Sequence, residues 1–227
     1  MSTWIERVLW FRASTRIAVN HIILLGDSTF DNLSYTEGGP DVVSQVRELL
    51  PNGSCATLLA VDGSTMEDIP FQAQRISSDA SHLVLSVGGN DAIMNSDVLL
   101  KPSKSTAKAL GDLADASQRF EKKYRCAVAA CRKTGLPLTI CTIYNGNFPD
   151  PEYQRVAFTA LMVFNDVILR VGIEFGLTII DLRFVCTLAE DYANPIEPSS
   201  KGGAKIARCI VASVGQGTKP CARVIIG

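Results

Sequence analysis

Histidine is nearly absent from this chain: His21 and His82 are the only two. The usual base of serine and cysteine hydrolases is therefore available at two positions at most. Charge of one sign is lacking as well. A net charge of -1 gives no electrostatic reason for a nucleic-acid or acidic-membrane partner, and the aromatic residues are not interleaved with basic clusters. No uninterrupted apolar run approaches the ~18 residues of a membrane span, so an integral membrane segment is not expected. Residues 1–20 mix Trp4, Ile5, Val8, Leu9, Trp10 and Phe11 with Glu6, Arg7, Arg12 and Arg16. They lack the continuous apolar core and small-residue cleavage site of a secretion signal and read as an amphipathic helical extension. The seven cysteines are odd in number and form no CxxC, which fits reduced, mostly buried thiols and a cytoplasmic location.

Apolar content of 47% and charged content of 20% over 227 residues describe one globular domain with a sizeable core, expected over residues 21–227. Strands and helices alternate along it. Apolar runs at His21 to Gly26, Cys55 to Val61, His82 to Val87, Leu136 to Ile143 and Leu177 to Asp181 read as buried strands. Helical periodicity occupies Val42 to Leu50, about Met66 to Ser77, about Ser103 to Lys133, about Tyr153 to Phe175 and about Lys201 to Val214. The alternation predicts a five-stranded parallel sheet with right-handed crossovers, in a three-layer α/β/α domain of flavodoxin-like type.

Three strand ends carry polar residues: Gly26-Asp27-Ser28, Asp62-Gly63-Ser64 and Gly88-Gly89-Asn90-Asp91. Each alone is an ordinary turn composition. At successive strand carboxyl ends they converge on one cleft and supply a hydroxyl, a glycine N–H and a side-chain amide. Those are the parts of acyl transfer, a nucleophile with donors for a developing oxyanion. Asp27, Asp62 and Asp91 share this edge. Side-chain-to-backbone hydrogen bonds are the expected use of these carboxylates, ahead of a divalent metal, and no cofactor is called for. No GxGxxG or GxxxxGK[ST] follows a strand, which disfavours a dinucleotide or P-loop site.

In order and position these blocks resemble the SGNH/GDSL hydrolase family over about His21 to Val214. The resemblance implies Ser28 as nucleophile and an oxyanion hole of the Ser28 N–H, the Gly63 N–H and the Asn90 amide. The last family block, Asp-x-x-His-Pro followed by Gly, corresponds to Asn194-Pro195-Ile196-Glu197-Pro198, with Gly202 beyond. Asn194 stands in the aspartate position and Glu197 in the histidine position. The two histidines open the first and third strands, roughly 15–20 Å from the catalytic edge at ~3.3 Å per residue, too far to replace it. Burial raises a carboxyl pKa toward neutrality, so Glu197 is the expected base, with the Asn194 amide orienting it without charge repulsion.

The expectation is a serine ester hydrolase working through an acyl-enzyme on a small-molecule ester. The missing histidine sustains the alternative, a catalytically impaired binding or regulatory protein on the same fold. A flavodoxin-like nucleotide binder is a third. Oligomeric state is not legible.

Overall fold

The structure is a computed structural model in which residues 21–214 are described; the expected amphipathic helix of residues 1–20 and the apolar stretch at Ala222 to Ile226 lie outside them. Five parallel strands form the sheet: β1 His21–Gly26, β2 Cys55–Leu58, β3 His82–Ser86, β4 Leu138–Cys141 and β5 Thr178–Ile180, in the order β2-β1-β3-β4-β5. This is the doubly wound order whose switch point lies between β1 and β3. The register there pairs Ile22 with His82 and Gly26 with Ser86.

Among the described residues, six α-helices cover the two faces: α1 Val42–Leu49, α2 Ile69–Ala73, α3 Gly89–Ile93, α4 Thr106–Arg132, α5 Pro151–Glu174 and α6 Ser200–Val214. The two-residue period of β1 divides its side chains between two cores. Ile23 and Leu25 face a cluster built with α2, α4 and α5, while Ile22 and Leu24 face one built with α1 and α6. All four are fully buried. The long helices begin where side chains accept otherwise unpaired N–H groups: Asp41 takes Ser44 N–H before α1, Ser105 takes Lys108 N–H before α4, and Asp150 takes Glu152 N–H before α5. Helix α5 is long and apolar enough to cross a membrane by length and composition alone. In this fold its buried face, including Phe164, Val167, Ile168 and Val171, lines the core.

Two elements depart from expectation. β2 ends at Leu58, earlier than its apolar run, because Leu59 N–H and Ala60 N–H both turn onto the single carbonyl of Leu24. The Gly88-Gly89-Asn90-Asp91 stretch is more than a turn after β3: Gly89 opens the short helix α3. Three thiols follow the expected burial, at Cys131, Cys141 and Cys186, but Cys55 on an edge strand and Cys126 on α4 are exposed.

Candidate active site

Gly26 ends β1 with φ +135°, and a Cβ there would lie 1.8 Å from the Ser86 carbonyl oxygen. Only glycine lets β1 and β3 approach this closely as the chain swings into the next turn. The Gln72 side chain from α2 locks that bend, accepting from Gly26 N–H at 2.8 Å and donating to Gly26 O at 2.8 Å. Asp27 closes the turn, its Oδ1 accepting from Thr29 N–H at 3.0 Å and its carbonyl from the N–H groups of Phe30 and Asp31. Ser28 is thereby presented in the crevice outside the switch point, 6% exposed. Burial pushes the Asp27 carboxyl up to about 6, against the Thr29 hydrogen bond that lowers it and with the repulsion of Asp91 adding to it.

The loop after β2 is fastened to the helix after β3. Asn90 Nδ2 donates to Ser64 O at 2.9 Å, and Asp91 Oδ2 accepts from Met66 N–H at 3.1 Å. One Asn90 amide hydrogen is thus engaged and the second remains for the cleft, which Asn90 lines. On its other side the loop is held to the segment after β1 through Asp62 N–H to Asp31 Oδ2 and Tyr35 Oη–H to Asp62 Oδ2. Gly63, at φ +79°, sits at the turn between these anchors, and no described residue accepts its N–H.

Glu197 arrives from the β5–α6 loop. Its carboxyl lies beside the Ser28 side chain in the cleft that both line. The side chain is 7% exposed and Oε2 has no hydrogen-bond partner. Burial pushes its pKa from 4.5 to about 7; the Ser28 contact lowers it, and the nearby charges of Asp27 and Asp62 raise it further. The structure therefore brings the two sequence-identified groups, Ser28 and Glu197, together.

Asn194 is placed differently from the expectation. It is exposed, and its Oδ1 accepts from the N–H groups of Ile196 and Glu197 at 2.9 and 3.0 Å. It shapes the turn that carries Glu197 and holds the backbone, rather than donating its amide to the carboxylate, because the two-residue spacing suits an Asx turn. Other residues complete the loop's anchorage. Tyr144 donates its hydroxyl to Ile196 O at 2.6 Å, Asn147 N–H donates to Pro195 O at 2.8 Å, and Asn32 Nδ2 donates to Pro198 O at 3.1 Å. Asp191, fully buried, accepts from the N–H groups of Thr187 and Leu188 and pairs with Lys205 of α6. Asn32, Gln72 and Asp191 carried no sequence signal of this role. Asn165 of α5 brackets Ile143 by accepting its N–H and donating to its carbonyl, both at 2.8 Å.

Both histidines stand at the other rim. His21 Nε2 meets Thr57 Oγ1 at 2.8 Å and its Nδ1 meets Asp79 at 3.0 Å, while His82 Nδ1 meets Ser81 Oγ at 3.0 Å. Among the described residues, no three histidine, cysteine or carboxylate side chains are grouped to hold a metal ion. Asp27, Asp62 and Asp91 each serve the local hydrogen bonds given above.

No protein-family model matches the chain, and neither does any curated protein sequence. Solved structures do match. An extracellular lipase from Streptomyces rimosus superposes with a TM-score of 0.64 at 15% identity, covering 86% of this chain and 100% of the lipase. A lipolytic protein of the G-D-S-L family from Veillonella parvula gives a TM-score of 0.61 at 15% identity over 86% of this chain and 98% of that one. A carbohydrate acetylesterase from Sinorhizobium meliloti gives 0.56 at 11% identity, again over 86% and 98%. What this likeness establishes is architecture: the chain has the three-layer α/β/α fold of the SGNH/GDSL lipolytic enzymes.

Proposed function

We propose that the protein is a serine ester hydrolase in which Glu197 takes the place of histidine as the base. The observation that carries this reading is the placement of a buried carboxylate, unpartnered at Oε2, against the Ser28 hydroxyl. In the first step Ser28 Oγ forms a bond to the ester carbonyl carbon as its proton passes to Glu197. The oxyanion is met by the N–H groups of Ser28 and Gly63 and by the free Asn90 amide hydrogen. Collapse breaks the bond to the alcohol, which leaves with the proton from Glu197, and the acyl group remains on Ser28. Water then attacks the acyl-enzyme, its proton passing through Glu197 back to Ser28 as the acid departs. A carboxyl raised to about 7 suits both roles, since a catalytic acid–base group works best near the operating pH.

The experiment is covalent labelling by a fluorophosphonate, read as intact mass. The expected result is one adduct on the parent protein and none on Ser28→Ala, with p-nitrophenyl ester turnover lost in the same variant. No adduct, with turnover equal in the two proteins, favours the second reading. That reading is a binding module on this fold, supported by the remoteness of both histidines from the cleft.

A further inference from the structure

From the described cleft we infer that, given the ester-hydrolase reading above, the substrate is an uncharged ester of a linear acyl chain of about six carbons or more. Besides Ser28 and Asn90 the cleft is lined by a run of apolar side chains. They come from Ile93 of α3, Val98 and Leu99 of the 3-10 turn Ser96–Leu99, Leu113 of α4, and Ala157 and Leu161 of α5. The cleft holds about 950 Å³ of non-atom space with open solvent included, so it is the apolar lining, not the volume, that suits a chain. An extended chain fits such a slot, because each methylene it removes from water is stabilising and no polar partner is demanded.

Charge decides the other half of the inference. Among the described residues, no lysine, arginine or histidine lines the cleft, and the carboxyls that line it are Asp27 and Glu197. A phosphate-bearing acyl carrier or headgroup would meet no counter-charge and would face two carboxylates. A glyceride or another neutral alcohol ester meets no such penalty. Tyr144, the aromatic hydroxyl next to Glu197, is already engaged with Ile196 O, so it offers no donor to an anionic group.

The test is a chain-length series on the full chain, using p-nitrophenyl acetate, hexanoate and octanoate. Each added methylene is expected to raise kcat/KM by about fourfold, giving on the order of 10² between acetate and hexanoate. Octanoyl-glycerol should be turned over faster than octanoyl coenzyme A. Ala157→Trp, which narrows the cleft, should lower the octanoate-to-acetate ratio by about tenfold or more. Should that variant fail to melt cooperatively, Leu161→Phe replaces it. A flat or falling series in a protein that accepts the fluorophosphonate overturns this substrate class and leaves the ester-hydrolase reading standing. So does a preference for the coenzyme A ester. If Ser28 takes no label, that reading fails, and the slot is judged by calorimetry of 1-octanol against ethanol on Ser28→Ala. Heat of binding for octanol alone supports a chain-binding slot, and equal or absent heats overturn it.

Discussion

Replacing Glu197 by glutamine separates charge from shape at the proposed base, and its effects on activity and stability run in opposite directions. Volume and the contact with Ser28 are conserved, while the proton-accepting oxygen is lost. Hydrolysis is expected to fall by ~10²-fold or more, the usual contribution of a positioned general base. Stability moves the other way with pH. The folded protein holds the Glu197 proton up to about 7, against an ordinary value of 4.5, because burial disfavours the carboxylate. Below 4.5 the residue is protonated whether the chain is folded or not, and its charge costs nothing. As pH rises toward 7 the unfolded chain releases the proton first, and folding is penalised by an amount that reaches roughly 3 kcal/mol above pH 7. The glutamine variant escapes this penalty. Its new amide NH₂ would inherit the unpartnered Oε2 position and cost ~1–3 kcal/mol, but at every pH alike. The measurement is therefore the difference in unfolding free energy between variant and parent, from urea titrations at pH 4.5 and pH 8. That difference should move by about 2–3 kcal/mol in favour of the variant on going to pH 8. A pH-independent difference would mean that Glu197 is not a strained buried carboxyl, and a fully active variant would remove it from the chemistry.

Four further outcomes follow from the same geometry. The parent's kcat/KM should rise with pH along a limb centred near 7, as Glu197 loses its proton, and in Glu197→Gln whatever activity remains should lack that limb; a limb unchanged in the variant would assign it to another group. Asn90→Ala should lower kcat by ~10²–10³ with a smaller effect on KM, as for other oxyanion donors, and steady-state kinetics with p-nitrophenyl hexanoate reads the split. Asn194→Asp keeps the oxygen that accepts from Ile196 and Glu197 and should retain most activity, whereas Asn194→Ala should not; the reverse order would restore the amide-to-carboxylate role expected from the sequence. Gln72→Ala leaves Gly26 N–H without its side-chain acceptor, while Gly26 O keeps Val61 N–H, and should destabilise the fold by about 1–3 kcal/mol in chemical unfolding.

What could be read directly from the sequence was whatever repeats or runs. The apolar stretches of β1 and β3 name a two-sided sheet because Ile22 to Leu25 and Leu83 to Leu85 are hydrophobic without a break, and the residues that end them mark the cleft edge. Helix α3 was hidden because Gly-Gly-Asn-Asp has turn propensity; its five residues are helical through tertiary anchoring, with Asp91 on Met66 N–H and Asn90 on Ser64 O. The candidate base was legible by register, as Glu197 occupies the block position where a histidine is expected. Its environment was not, since burial and the charges of Asp27 and Asp62 come from distant segments. The Asn194 expectation failed locally: composition allowed either end of the amide to act, and the oxygen found two backbone N–H groups within three residues. Asn32 and Gln72 were invisible for the same underlying cause, each meeting partners far along the chain.

The bridge from Asn32 to Pro198 joins segments separated by 166 positions, one next to Ser28 and the other next to Glu197. Asn32 Oδ1 also accepts from Val42 N–H at the start of α1, the helix that packs on α6. Ser28 and Glu197 are therefore brought together only when α6 docks beside α1. On the proposed reading, a chain that has formed β1 but has not yet seated α6 presents Ser28 without its base. Reactive-serine labelling during refolding should accordingly lag behind burial of the sheet.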